Sequence, residues 1–230
     1  GPVTTPPVIT PPVITPPVIS PPTSIPPRFL SIAAALDANP PSPSGPNNAR
    51  SAPITDFEVQ LWQMDPARPS PDDVIQYYEA RLARVATEME QPVASGFRVW
   101  AMFNQGFIVK TPTVTFAFDL IEGKTSWASP AWTVKVPDAI LNRIDVLMVS
   151  HEHVDHWDLS ERIPGMIKAR GGTVLYPAGG LTRSSVTAPM ADKQVIQYGD
   201  VRITAHAGLH NAPVMIYEVV TGAGYRIVHT

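Results

Sequence analysis

Proline sets the first limit on what this chain can fold into. Eighteen of its 27 prolines fall within residues 1–70, which leaves nine for the other 160 residues. Residues 6–22 read PPVITPPVITPPVISPP, a five-residue repeat. Paired prolines fix φ and remove backbone donors, so polyproline II is the only regular conformation open to the repeat. A stiff spacer is the plain reading, because the repeat has no charged flank to set register in an aromatic-lined groove. Such stalks accompany extracytoplasmic bacterial proteins, and by that association a periplasmic or extracytoplasmic location is favoured. The chain therefore divides into a low-complexity leader, residues 1–55, and a globular domain, residues 56–230. Within the leader, FLSIAAAL (29–36) has the composition of a short helix, whereas 37–56 is rich in Pro, Ser, Asn and Gly and reads as irregular.

Composition narrows the chemistry of the domain. Lys and Arg number 17 against 20 Asp and Glu, a net charge of −3, so there is no basic field for nucleic acid or an anionic membrane. No run of 18 apolar residues is present, and no membrane insertion is expected. Cysteine is absent, which removes disulfides, thiolate nucleophiles and sulfur-ligated metals together. Any metal must sit on histidine and carboxylate.

Past the leader the patterns become regular. Ser70 as N-cap, Pro71 in the first turn and Asp72 with Asp73 at the positive end of the dipole predict a helix. Val74, Tyr77, Tyr78, Leu82, Val85 and Met89 carry its helical spacing up to Pro92. Residues 97–121 alternate, with breaks at Asn104-Gln105-Gly106 and Thr111-Pro112, and predict an antiparallel meander. IDVLMV (144–149) is apolar throughout, as in a strand covered on both faces. Further strands are predicted at 173–176, 194–197, 201–206, 214–220 and 224–229, with a helix around 160–170. The alternation points to a layered α/β domain.

The apolar strand runs directly into His151-Glu152-His153-Val154-Asp155-His156. All six histidines of the chain lie between 151 and 229. On extended chain, residues two apart face the same way, so His151 and His153 can present imidazoles to one cation. Asp155 and His156 then reach the other side, where a second cation could share a hydroxide with the first. His206 and His210 compete as third ligand, and a period of two cannot separate positions four apart. Glu152 points away from the ligands on extended chain. Asp158 suits either a helix cap or an acceptor behind a histidine. Trp127, Trp132 and Trp157 lie near the motif, with packing as the default for tryptophan. Gly171-Gly172 and Gly179-Gly180 lack a phosphate-loop frame, and no Gly-x-Ser-x-Gly elbow exists.

VLMVSHEHVDHWD resembles the H-x-H-x-D-H segment of the metallo-β-lactamase-fold hydrolases. FNQGFIVKTPTVTFAFDL resembles that family's opening strands, ending in the aspartate that backs the metal loop, here Asp119. ITAHAGLH resembles the segment supplying the third histidine, which the subgroup similar to L-ascorbate-6-phosphate lactonase places where His210 stands. GYRIVHT resembles the strand leading into the family's His-(Ser/Thr)-Gly-Asp. The resemblance implies a four-layer αββα sandwich whose C-terminal part is missing from this chain, because the bridging aspartate would follow Thr230. It implies metal ligands His151, His153, Asp155, His156 and His210; His229 reads as a strand-end histidine near the site without ligation. One or two Zn2+ ions are expected, Mn2+ or Fe being the alternatives, with the second position at most partly occupied. Asp155 would orient or deprotonate the metal-bound water, whose hydroxide attacks a small ester, lactone or phosphodiester. The rival is a catalytically silent truncated chain that works as a metal-binding or interaction module through its leader. The open end of the second sheet further suggests a homo-oligomer or a completing chain as partner.

Overall fold

The computed structural model describes residues 27–39, 48–61, 71–125, 132–180 and 182–230. Three helices come first, α1 (Pro27–Ala38), α2 (Asn48–Leu61) and α3 (Pro71–Glu90). Five strands follow, β1 (Arg98–Ala101), β2 (Phe107–Lys110), β3 (Thr115–Phe118), β4 (Gly123–Thr125) and β5 (Trp132–Val134). Next come α4 (Asp138–Leu141), β6 (Val146–Met148), α5 (Arg162–Ala169), β7 (Thr173–Pro177) and β8 (Ala188–Met190). The chain closes with β9 (Val195–Tyr198), β10 (Val201–Ala207), β11 (Met215–Val220) and β12 (Arg226–His229). The repeat at 6–22, the expected cap Ser70 and Trp127 lie outside the described residues.

Two sheets carry the domain. The larger has the order β1-β2-β3-β6-β7-β8, antiparallel from β1 to β3 and parallel from β3 to β8. The smaller, β12-β11-β10-β9, is antiparallel throughout. Alternation in the central strands splits the apolar residues between two cores. Ala117, Leu147, Val174 and Tyr176 face Leu82, Val85 and Met89 of α3, Ile140 and Leu141 of α4, and Ile163 and Ile167 of α5. Phe116, Phe118, Val146, Met148 and Leu175 face Ile203, Ala205, Tyr217 and Val219 of the smaller sheet. The layers thus run helix, sheet, sheet, in the α/β arrangement the alternation predicted. Burial on both sides explains why β3 and β6 have no polar face.

Two stretches differ from expectation. Residues 48–56, expected to be irregular, lie in the helix α2 (Asn48–Leu61). Pro53 within it reads as a breaker, yet tertiary contacts outweigh that local cost. Arg50 donates from Nη1 to the carbonyls of Leu36 and Asn39 at 2.8 Å each, closing the orphaned C-terminal end of α1. Ile32 of α1 joins the helix-side core, so apolar packing reaches ahead of Asp56. The three-residue strands β4, β5 and β8 are too short to leave a periodic signal. No helix among the described residues is long and apolar enough to cross a membrane.

The smaller sheet is pinned to the carboxyl end of β6. Tyr217, fully buried, donates its hydroxyl to the Val149 carbonyl at 3.1 Å, and the Met215 amide donates to the Ser150 carbonyl at 2.8 Å. Burial, reinforced by the nearby Asp119 charge, pushes the Tyr217 phenol well above its ordinary range and keeps it a donor. Tyr217→Phe removes a buried hydrogen bond worth about 1 kcal/mol. In urea unfolding we expect a lower midpoint with an unchanged slope; an unchanged midpoint would contradict this role.

Candidate metal centre

Where β3 and β6 end side by side, both chains turn into loops at the carboxyl edge of the parallel strands, the edge at which open α/β sheets bind ligands. Asp119 is the residue after β3, and Ser150 and His151 follow β6. Asp119 takes a left-handed backbone, φ 43°, which is strained for a residue with a side chain. Its carboxylate, wholly buried, accepts four hydrogen bonds. Oδ1 receives the Ser150 amide at 2.6 Å, and Oδ2 receives the Ser150 hydroxyl at 2.7 Å, His156 Nδ1 at 2.7 Å and His229 Nε2 at 2.6 Å. Burial alone would raise the Asp119 carboxyl, but the hydrogen bonds of His156 and His229, the His229 charge and the Ser150 hydroxyl hold it below its ordinary value. It stays ionised without access to water.

The Ser150 hydroxyl, having donated to Asp119, accepts from His151 Nδ1 at 3.0 Å. That bond fixes the tautomer of His151 and leaves its Nε2 with a lone pair. Burial, followed by the charges of His156 and His153, lowers His151 to about 4, so it is neutral near pH 7. His151 Nε2 lies 3.2 Å from His153 Nδ1, which lies 3.4 Å from His210 Nε2. One nitrogen from each ring lies within 4.8 Å of the other two, in a group that could hold a metal ion.

His210 and His206 are thereby separated. His206, on β10, turns to the outer face of the smaller sheet and meets Glu218 Oε2 at 3.2 Å. β10 ends at Ala207, so His210 sits on the loop beyond it and does not follow the strand's alternation. His156 turns the other way: its Nδ1 is taken by Asp119, and its Nε2 lies 3.5 Å from Asp155 Oδ2. Burial opposes charge on His156, but the Asp119 hydrogen bond and the Asp119 and Asp155 charges outweigh it and raise its pKa. Asp155 is partly exposed, and its carbonyl accepts from Asn104 Nδ2 at 3.1 Å, which ties the β1–β2 turn to the motif.

The remaining candidates fall to structural roles. Asp158 starts the turn into α5, its Oδ1 accepting from Ser160 and its Oδ2 from the Ile163 amide at 3.0 Å. Trp157 is buried, edge-on to Tyr176 and beneath Arg183. Trp132 opens β5. His229 stacks on Phe118 with ring centroids 4.7 Å apart and binds Asp119, not the triad. At Gly172 a Cβ would lie 2.7 Å from Ile167 Cγ2, so this glycine lets the chain pass close to α5 on its way into β7. Ser150 was missed in the sequence, where a single hydroxyl ahead of a histidine motif gives no signal until the fold places Asp119 behind it.

No family model and no curated protein matches the chain. Solved structures do resemble it. The crystal structure of CmlA, a diiron β-hydroxylase from Streptomyces venezuelae, is 15% identical, with 60% of this chain and 30% of that one covered and a TM-score of 0.43. Igni18, a metallo hydrolase from Ignicoccus hospitalis, is 12% identical over 58% of this chain and 60% of that one, with a TM-score of 0.42. The metallo-β-lactamase-fold protein YhfI from Bacillus subtilis is 12% identical over 60% and 58%, with a TM-score of 0.39. The chain thus spans between 30% and 60% of the length of these structures. With TM-scores below 0.5, the chemistry of the site rests on its own atoms.

Ser150→Ala and Asp119→Asn each remove the support behind His151 or His156, and we expect metal affinity to fall about 10- to 100-fold in a competition titration against a chromophoric chelator. His206→Ala should leave that affinity at the wild-type value. A loss in His206→Ala equal to that in His210→Ala would refute the separation of the two histidines.

Proposed function

We propose that this chain is a metal-dependent hydrolase of the metallo-β-lactamase type, with His151, His153 and His210 holding one zinc ion. The observation that carries this reading is that one nitrogen from each of the three imidazoles lies within 4.8 Å of the others, with His153 3.2 and 3.4 Å from its two neighbours. Tetrahedral zinc with bonds of about 2.0–2.1 Å places its ligand nitrogens about 3.3–3.4 Å apart, which the two His153 separations match, and binding would draw His151 and His210 to the same spacing. Three imidazoles leave one tetrahedral position free, the pattern of a catalytic site and not a structural one. The neutral state of His151 supports it further, since a ligand must offer a lone pair without first losing a proton.

When bound, zinc supplies Lewis acidity, which brings the pKa of a water toward neutrality and polarises a carbonyl. The chain's own residues divide the rest. Asp119 and Ser150 fix the rings of His151 and His156 from behind, so the ligand set is held before any ion arrives. Asp155, partly exposed beside His156 Nε2, orients the attacking water and accepts its proton on Oδ2. His156 and Asp155 are the two protein donors at a second position, which we assign at most partial occupancy. Manganese or iron would enter only where further carboxylate ligands join that position. Substrates are small molecules carrying an ester, lactone or phosphodiester bond, in keeping with the lactonase-like motifs around His210.

Two substitutions test the assignment. His153→Ala leaves two imidazoles, and elemental analysis should find most of the zinc gone; unchanged metal content would sink the triad. Asp155→Asn should keep the triad's zinc while kcat falls about 10²- to 10⁴-fold. A silent metal-binding module would bind metal in both the parent and Asp155→Asn yet show no turnover above free zinc in either.

A further inference from the structure

The turn between β1 and β2 reaches the motif loop from a fixed base. Two backbone bonds close it, from the Met102 amide to the Gly106 carbonyl at 2.7 Å and from the Gly106 amide to the Phe103 carbonyl at 3.0 Å. Gly106 lets the turn lie close against the residue behind the site, since a Cβ there would stand 3.2 Å from the Asp119 carbonyl oxygen. Phe103 meets Tyr78 of α3 edge-on, with ring centroids 5.8 Å apart. Asn104 is thus carried on a frame held by α3 and by the end of β3.

Asn104 has a left-handed backbone, φ 55°, which asparagine tolerates better than most residues. From that position its Nδ2 donates to the Asp155 carbonyl at 3.1 Å, across 51 residues of chain. Among the described residues this is the one hydrogen bond that enters the backbone of 152–155 from outside the motif. The motif's own bonds, from the His156 and Trp157 amides to the His153 carbonyl, close the turn around Val154 and Asp155 but do not fix where that turn stands. The Asp155 side chain is 42% exposed, so packing does not hold its carboxylate either. Its Oδ2, 3.5 Å from His156 Nε2, goes where the backbone takes it.

We infer that Asn104 is a positioning residue, which holds the Asp155 carbonyl and thereby sets the Asp155 carboxylate against the attacking water. This rests on the hydrolase reading, in which Asp155 accepts that water's proton. Small misplacements of a reacting group slow the chemical step steeply. A residue that acts only through Asp155 therefore affects kcat and leaves KM alone.

Two variants separate the side chain from the backbone. Asn104→Gly keeps the left-handed turn open and removes the donor, whereas Asn104→Asp keeps the shape and sets an acceptor against the carbonyl. The zinc-loaded full chain is assayed with p-nitrophenyl acetate and bis(p-nitrophenyl) phosphate. We expect kcat to fall about fivefold or more in both variants, the worth of one hydrogen bond, with zinc content and KM unchanged. In an Asp155→Asn background, Asn104→Gly should cost nothing further, because the group it positions is gone. In the zinc-free chain, amide exchange over 152–157 should quicken about fivefold in both variants while β6 keeps its protection. An equal loss of kcat with and without the Asp155 carboxylate, an effect confined to KM, or unchanged exchange over 152–157 would overturn the inference and leave the hydrolase reading standing. Wild-type kcat in Asp155→Asn would remove Asp155 as proton acceptor and the inference with it. No turnover of either ester above free zinc would overturn the hydrolase reading as well.

Discussion

The buried carboxylate of Asp119 is the constraint on which the rest of the site depends. An ionised group out of contact with water is tolerated only when its lone pairs are met by donors. Here those donors come from three places in the chain: Ser150 after β6, His156 in the motif loop and His229 at the end of β12. Satisfying one carboxylate therefore fixes the register of the motif loop against β3 and brings the smaller sheet to the same point. The left-handed backbone at Asp119 belongs to the same bargain, since the strained turn aims the carboxylate at all three partners.

Rigidity behind that point comes from packing. β3, β6 and β7 are buried on both faces, so their carboxyl ends are held by the helix-side core and the inter-sheet core together. Interiors at this density do not yield by fractions of an ångström without cost. The triad stands one step out from this platform, with His151 directly on the strand end, His153 two residues on, and His210 delivered by the loop between β10 and β11. A half-buried His153 and an exposed His210 against a buried His151 give a centre anchored on one side and open on the other.

Much of this was legible in the sequence because the relevant residues are close together. A six-residue motif behind an apolar strand announces both the strand and two of the three histidines that the fold gathers, and residues 97–121 show their meander by alternation alone. The choice of third histidine was not legible from periodicity. The strand's alternation stops at Ala207, and only the resemblance of ITAHAGLH to a known segment pointed to His210. Contacts between distant residues were likewise invisible: Arg50 capping α1, which lets a Pro-containing stretch become α2, and the 110-residue span between His229 and Asp119. Trp157, next to a motif histidine, follows the packing default for tryptophan, its ring set against Tyr176 and Arg183.

The central claim is that three imidazoles converge on one ion. X-ray absorption at the zinc K-edge of the loaded chain tests it without any substrate. The account predicts a four-coordinate shell of light atoms at about 2.0–2.1 Å, with the multiple-scattering signature of three imidazoles. A six-coordinate oxygen shell, or scattering from a single imidazole, would contradict it.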